Sequence, residues 1–333
     1  MNNKVLSIIV PTYNMEDYLP RCLNSLIVDE VNMDCFEVLV INDGSKDSSS
    51  EIAHKYQEQY PKTFHVIDKE NGNYGSCINR ALKEAVGKYV KVLDADDWFD
   101  NDTLKKFLSF IAVRDEDMIL NNCKLVSNDN TELSTYVCKY LKHGETIKFK
   151  DLLSYLYFPQ MHCVTYKLQI LKDMHYVQTE GISYTDQQWV TKPLSMVYSV
   201  NYFDGYLYKY CIGRPGQTVS DDIVNKSWGN HREISISLIE FAEEYKGDAI
   251  HKKYLYLKAY DYLVILYRKH ILESVFAESD LRDYDKWISI HHKAFFRMTS
   301  SLTLRNSYIL LWRFHKMGVL RLLLSLLHKV KSV

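Results

Sequence analysis

Through the first hundred positions, short runs of apolar, β-branched residues alternate with amphipathic stretches. Residues 5–10 and 36–41 are nearly continuous apolar runs, closed by the polar turns Pro11-Thr12-Tyr13-Asn14 and Asn42-Asp43-Gly44-Ser45. Such runs are typical of strands buried on both faces of a parallel sheet. Between them, residues 17–27 place Leu19, Cys22, Leu23 and Leu26 at helical spacing. Residues 48–60 and 76–86 read as two further helices, and residues 64–68 and 89–93 as a third and a fourth strand. The order β-α-β-α-β-α-β predicts an α/β domain on a mostly parallel sheet. Ligands of such sheets bind beyond the carboxyl ends of the strands, so the turns after each strand are where chemistry is expected.

From about residue 100 to 220 the pattern is mixed and rich in aromatics, with a polar loop at 127–131, and is expected to complete the same core. Beyond Asp222 glycine and proline nearly vanish, and residues 228–245 and 251–273 have helical apolar spacing. The expected organisation is therefore an α/β domain over 1–222 followed by a helical domain over 223–333. Neither an internal repeat nor a low-complexity tract interrupts it.

The length of 333 residues, with 47% hydrophobic and 25% charged residues, is enough for two cores and excludes collagenous, disordered and disulfide-scaffold classes. The seven cysteines form no CxxC pair and lack metal-ligand spacing, which reads as free thiols in a cytosolic protein. The amino terminus runs straight into a six-residue apolar stretch ended by Pro11, so no signal peptide is expected. Near the carboxyl terminus, Arg313, Lys316 and Arg321 break the longest apolar stretch, so no membrane span is expected either.

Asp94-Ala95-Asp96-Asp97-Trp98 follows the fourth strand directly. Three carboxylates at the end of a buried strand repel one another, and a divalent cation relieves that repulsion. Oxygen ligands with an incomplete shell suit Mg²⁺ or Mn²⁺, which commonly share substrate phosphates. A turn or helix N-cap explains the same aspartates without a metal. Two more strand-end turns bring Tyr13, on which a base can stack, and Asp43, which can accept from a ring N–H, to the same sheet edge. A phosphatase with a nucleophilic Asp-x-Asp would carry the motif after the first strand, and no GxGxxG follows that strand to suit a dehydrogenase.

Residues 7–14, 38–45, 69–76 (Lys-Glu-Asn-Gly-Asn-Tyr-Gly-Ser) and 92–98 together resemble the ordered signatures of family 2 inverting glycosyltransferases with the GT-A fold, a likeness covering roughly residues 4–220. The resemblance implies a Rossmann-like sheet flanked by helices, a UDP-sugar donor, and a saccharide or lipid-linked saccharide acceptor at the cytoplasmic leaflet. It implies that Asp94 and Asp96 meet Mn²⁺ or Mg²⁺, the diphosphate and the ribose, and that Pro11, Tyr13 and Asp43 contact uridine. Thr12, Asn14, Asn71, Gly72, Asn79 and Ala95 lie within the same donor-binding motifs. Inverting transfer needs a base for the acceptor hydroxyl, and Asp186 in Tyr184-Thr185-Asp186-Gln187-Gln188-Trp189 falls on the family's base position, with Thr185 where a Glu is common. Residue by residue, Asp186 also suits an N-cap for a helix over 187–196. Arg214, in a segment similar to the one that closes the family's donor site, is suited to diphosphate charge, and equally to a surface turn. His162 and Lys167 fall in the variable acceptor-side region, where a lone histidine is ordinarily structural. The chain departs from the family at Ile78, which stands where an Arg commonly precedes Asn79. A non-catalytic sugar-nucleotide or glycan-binding module on the same fold is the alternative reading.

The formal charge of −1, from 41 basic and 42 acidic residues, conceals an asymmetry. Every acidic residue lies at or before Asp285 and nine basic residues follow it, so a body of net −10 precedes a tail of +9. Tyr308, Leu311, Trp312, Val319, Leu322, Leu326 and Val330 share one helical face of that tail. A basic, Trp-bearing amphipathic helix over 300–333 fits peripheral attachment to an anionic membrane. A helix packed on its own domain fits as well. No nucleic-acid-binding fold accompanies the charge.

Overall fold

The computed structural model describes residues 4–28, 33–154, 159–214, 217, 227–273, 277–301, 303 and 305–314. The chain divides into two compact units, Met1–Gln217 and Thr218–Val333.

In the first unit, β1 (Leu6–Thr12) lies between β2 (Phe36–Asn42) and β4 (Tyr89–Val92), parallel to both, and β3 (Phe64–Asp68) runs parallel to β2. β2 and β4 are buried along their whole length, which is why their sequences read as continuous apolar runs rather than alternating ones. The helices α1 (Leu19–Asn24), α2 (Ser49–Gln59) and α3 (Asn73–Glu84) connect these strands. Helix α1 is shorter than the span 17–27 suggested. Pro20 sits in its first turn, and the Ser25 hydroxyl donates to the Cys22 carbonyl at its end.

Beyond β4 the sheet becomes mixed, where a mostly parallel one was expected. After β5 (Trp98–Phe99) and α4 (Asn101–Ala112) come β6 (Met118–Val126), β7 (Glu132–Tyr136), β8 (Thr146–Lys148), α5 (Phe149–Ser154), β9 (Val164–Lys167), α6 (Leu168–Asp173), α7 (Asp186–Trp189) and β10 (Ser199–Cys211). The main strand order is β3-β2-β1-β4-β9-β6-β10-β5. β9 inserts antiparallel between β4 and β6, whereas β10 runs parallel to β6. Register irregularities between Phe203, Tyr206 and Tyr208 interrupt β10. Such bulges re-aim side chains and often lie beside active sites.

The second unit is helical, as its apolar spacing predicts: α8 (Trp228–Glu244), α9 (Ala249–Ile271), α10 (Glu278–His291), α11 (Lys293–Thr299) and α12 (Ser307–Arg313). Asp248 caps α9 by accepting from the N–H groups of Ile250 and His251. The first part of the basic tail packs on this unit. Trp312 is 3% exposed with its ring 6.1 Å from that of Tyr267, and Tyr308 donates to the Val264 carbonyl. Arg313 is paired with Asp285 and also donates to Ser300 and Thr299. Of the residues expected on a membrane-facing stripe, Trp312 is thus buried in this unit and Tyr308 is partly buried and hydrogen-bonded to it, and residues 315–333 of that stripe lie outside the described residues. Among the described residues no helix is long and apolar enough to cross a membrane. All seven cysteines are free.

Candidate functional site

The carboxyl ends of β1 and β2 are stitched together. The Asp43 N–H donates to the Thr12 carbonyl, the Asn14 N–H to the Ser45 hydroxyl, and the Lys46 N–H to the Asn14 side chain. Asn14 takes φ of 52° to do this, a left-handed conformation that Asn tolerates better than most residues. Thr12 is buried with its hydroxyl on the Val10 carbonyl, so it serves the turn. Tyr13 is 45% exposed beside partly buried Pro11.

Asp43 is 2% exposed. Its Oδ1 accepts from Lys69 Nζ and from the Gly72 N–H at 2.9 Å, while Asn71 donates to its backbone carbonyl. Lys69 also donates to Ser76. Among the described residues Oδ2 accepts no hydrogen bond, so one carboxylate oxygen is held in place and the other is left for a ligand donor. Lys69 is a member of the site that motif reading passed over, although it lies inside the quoted 69–76 segment.

Asp94, Asp96 and Asp97 form the turn after β4. Asp94 is partly exposed, and its Oδ1 accepts from the Tyr74 hydroxyl at 2.8 Å. Burial and the neighbouring Asp96 charge raise its carboxyl to about 7. Buried Asp96 pairs with Arg214, whose guanidinium also lies 5.4 Å from the Tyr18 ring. Asp97 accepts from the Tyr208 hydroxyl and the Cys211 N–H, both at 2.7 Å, and burial together with the charges of Asp96 and Asp94 pushes it well above the usual carboxylate range. Tyr208 lies directly after the register irregularities of β10. Ala95 is buried in the core and is a packing residue. Arg21 stacks 3.8 Å from the Trp98 ring and donates to the Asp96 carbonyl, fixing the turn from α1.

A ring nitrogen of His162 and carboxylate oxygens of Asp94 and Asp97 all lie within 4.8 Å of one another. His162 Nδ1 is buried with no hydrogen-bond partner among the described residues. Burial, with Lys91 behind, depresses the imidazole to about 3, so the ring is neutral at neutral pH. Crowded carboxylates beside a neutral, unpartnered imidazole fit a divalent cation.

Asp186 is the first residue of α7, with Thr185 as the N-cap, so it does not serve as the cap. It is partly exposed, and its charge contributes to raising Asp94 and Tyr74. Its helix stops at Trp189, short of the 187–196 expected, and residues 192–196 form a 3₁₀ turn with Pro193 near its start. Asn79 is turned elsewhere than the donor-binding motif suggested. Its side chain accepts from the Gln178 N–H and donates to the Gln178 carbonyl, both at 2.8 Å, and donates to Glu180. Gln178 in turn donates to the Thr185 hydroxyl, and Gln188 bonds both the N–H and the hydroxyl of Thr179. Asn79 thereby braces the segment that carries Asp186. Ile78 is buried, and Arg80 pairs with Glu84 on the surface, so neither supplies a cation where the family has its Arg.

A family model described as "Glycosyl transferase family 2" matches residues 7–174, which contain the site as far as His162; Asp186 and Arg214 lie beyond the match. Poly(ribitol-phosphate) beta-N-acetylglucosaminyltransferase TarS of Staphylococcus aureus is 30% identical over 221 residues, covering 66% of this chain. The chain spans only 37% of that protein's length. Uncharacterized glycosyltransferase MG025 of Mycoplasma genitalium is 30% identical over 235 residues, 69% of this chain and 74% of that protein. Among solved structures, S. aureus TarS 1–349 in complex with UDP-GlcNAc is similar with a TM-score of 0.64 at 23% identity, over 86% of this chain and 79% of that one. Mannosyltransferase PcManGT from Pyrobaculum calidifontis, in complex with GDP-Man and Mn²⁺, has a TM-score of 0.55 at 15% identity, over 94% and 84%. These likenesses give the fold as GT-A, and the family match, with MG025 sharing most of its length, shows that the chain belongs to glycosyl transferase family 2.

Proposed function

We propose that this protein transfers a hexose or N-acetylhexosamine, with inversion, from a UDP-sugar to a saccharide or lipid-linked saccharide during synthesis of a cell-surface polymer. The observation that carries the reading is that Asp43 and the Asp94–Asp96 turn follow two strands that flank β1 in parallel, with the charge of Asp186 acting on Asp94. The name of TarS, a transferase acting on a poly(ribitol-phosphate) polymer, and its structure with UDP-GlcNAc support the donor and the acceptor class.

In this reading the uracil stacks on Tyr13 beside Pro11, and its ring N–H donates to the open oxygen of Asp43, whose orientation Lys69, Asn71 and Gly72 maintain. Asp94 and Asp96 would hold Mn²⁺ or Mg²⁺, whose charge offsets that of the departing diphosphate. Arg214, paired with Asp96, carries a guanidinium suited to phosphate oxygens. Asp186 takes the proton of the acceptor hydroxyl as that oxygen bonds to the anomeric carbon, and the opposite carbon–oxygen bond breaks with its electron pair leaving on UDP. Residence at the cytoplasmic face of an anionic membrane through residues 315–333 belongs to the same proposal.

The test is transfer and donor hydrolysis across a panel of UDP-, GDP- and TDP-sugars with Mn²⁺. Asp186→Asn is expected to retain UDP affinity and lose roughly 10²- to 10⁴-fold in transfer. Undiminished transfer would remove Asp186 as the base. Binding of UDP-sugars with neither transfer nor hydrolysis by the unaltered protein would favour a binding module instead.

A further inference from the structure

Around the Asp94–Asp97 turn the carboxylates have partners in the protein: Tyr74 on Asp94, Arg214 on Asp96, Tyr208 and the Cys211 N–H on Asp97. His162 has a buried Nδ1 with no partner among the described residues. Its ring is nonetheless fixed in place. It stacks on Tyr210 with centroids 4.2 Å apart and meets Tyr208 edge-on at 4.8 Å. Its backbone is pinned from inside the sheet. The fully buried Lys91 donates to the His162 carbonyl at 3.0 Å while also bonding Asn121 and the Val164 carbonyl, and Asn121 donates to the same His162 carbonyl. A protein that merely filled space here would have no need to orient an unsatisfied imidazole, because burying a nitrogen without a partner costs free energy. The cost is recovered if Nδ1 is the nitrogen that meets a cation, and a ring nitrogen of His162 lies within 4.8 Å of carboxylate oxygens of Asp94 and Asp97. Ligands about 2.1 Å from a shared ion are roughly 3 to 4 Å apart, so little movement is needed.

We infer that His162 donates a ring nitrogen to the divalent cation bound beside Asp94. The inference rests on the metal-dependent donor site proposed above and adds nitrogen to a ligand set that the aspartates alone would make entirely oxygen. Mg²⁺ takes oxygen ligands, whereas imidazole suits transition ions, so His162 tilts the site toward Mn²⁺ over Mg²⁺. Lys91 and Asn121 are positioning residues for that nitrogen.

Electron spin-echo envelope modulation of the full chain with Mn²⁺ and UDP reads the ligands directly, since a coordinated imidazole nitrogen modulates the echo and an oxygen does not. The expected result is nitrogen modulation in the unaltered protein and its loss in His162→Phe, which keeps an aromatic ring against Tyr210. Mn²⁺ affinity of that variant should fall at least about tenfold, with Mg²⁺ affinity changing by less than about threefold. If the variant fails to fold, the unaltered protein's spectrum still tests the inference, because Mn²⁺ bound there without nitrogen modulation overturns it. Mn²⁺ bound without nitrogen modulation, or modulation that persists in His162→Phe, would overturn the inference and leave the metal-dependent donor site standing. UDP bound with no uptake of Mn²⁺ at all would overturn both.

Discussion

Asp94 illustrates how one residue's chemistry depends on its neighbours. Its carboxyl rises from an ordinary 3.8 to about 7, first through burial and then through the Asp96 charge, with Tyr74 opposing the shift. A carboxyl raised in the folded state binds its proton more tightly there than in the unfolded chain. Its contribution to stability is therefore fully present below its unfolded value and is lost as pH rises through about 7. Above that pH the cluster carries repulsion that a cation relieves, and cation binding must no longer displace a proton. With UDP present, Mn²⁺ is thus expected to raise the melting temperature more at about pH 8 than at about pH 5.5. Differential scanning fluorimetry at both pH values checks this, and equal shifts would argue against a cation on Asp94. The carboxylate cluster itself was legible from its position after a strand. The proton it retains was not, because that follows from how deeply the folded chain buries the group and how closely Asp96 and Asp186 approach it.

At the scale of elements, α3 and the segment 176–188 act as one device. Gly75 lies so close to this segment that a Cβ there would collide with the Thr179 carbonyl, and Asn79, one turn further along α3, holds both backbone groups of Gln178. Gln178 and Gln188 relay that hold to Thr185 and Thr179 on either side of the turn leading to Asp186. Asn79→Ala leaves the Gln178 N–H and carbonyl without their partner, a loss of about 1–3 kcal/mol. Small displacements of a reacting group cost up to about 100-fold in rate. Asn79→Ala should therefore lower kcat by about 10- to 100-fold while the UDP affinity holds steady, since Tyr13 and Asp43 are untouched. Calorimetric titration of UDP beside steady-state rates separates the two. A fall in UDP affinity with kcat preserved would return Asn79 to the nucleotide. Motif position suggested nucleotide contact for this residue, whereas its bonding partner lies 99 positions away in the chain and is visible only once the chain has folded.

For the whole molecule, the charge asymmetry divides at a physical boundary. Arg313, the fifth of the nine basic residues after Asp285, is inside the second unit as the partner of Asp285 itself, and Trp312 is buried with it. Removing one member of a buried ion pair costs about 3–5 kcal/mol, so a truncation intended to test membrane attachment should end after Phe314 rather than near residue 300. A chain ending there is expected to keep its melting temperature within a few degrees and to lose binding to anionic liposomes, which co-sedimentation checks; undiminished binding would place the membrane surface elsewhere. Local periodicity was sufficient to read the first four strands, the helices between them, the turns that carry Tyr13, Asp43 and Asp94, and the helical character of the second unit. Each of these depends on residues within one or two turns of each other in the chain, and burial imprints itself on such spacing directly. Only tertiary structure decided the antiparallel insertion of β9, the pairing of Arg214 with Asp96 across 118 positions, the service of Asn79 to the Asp186 segment, and the meeting of His162 with Asp94 and Asp97. Those contacts join segments whose sequences carry no common period, so they are set by how whole strands pair and where their side chains can pack.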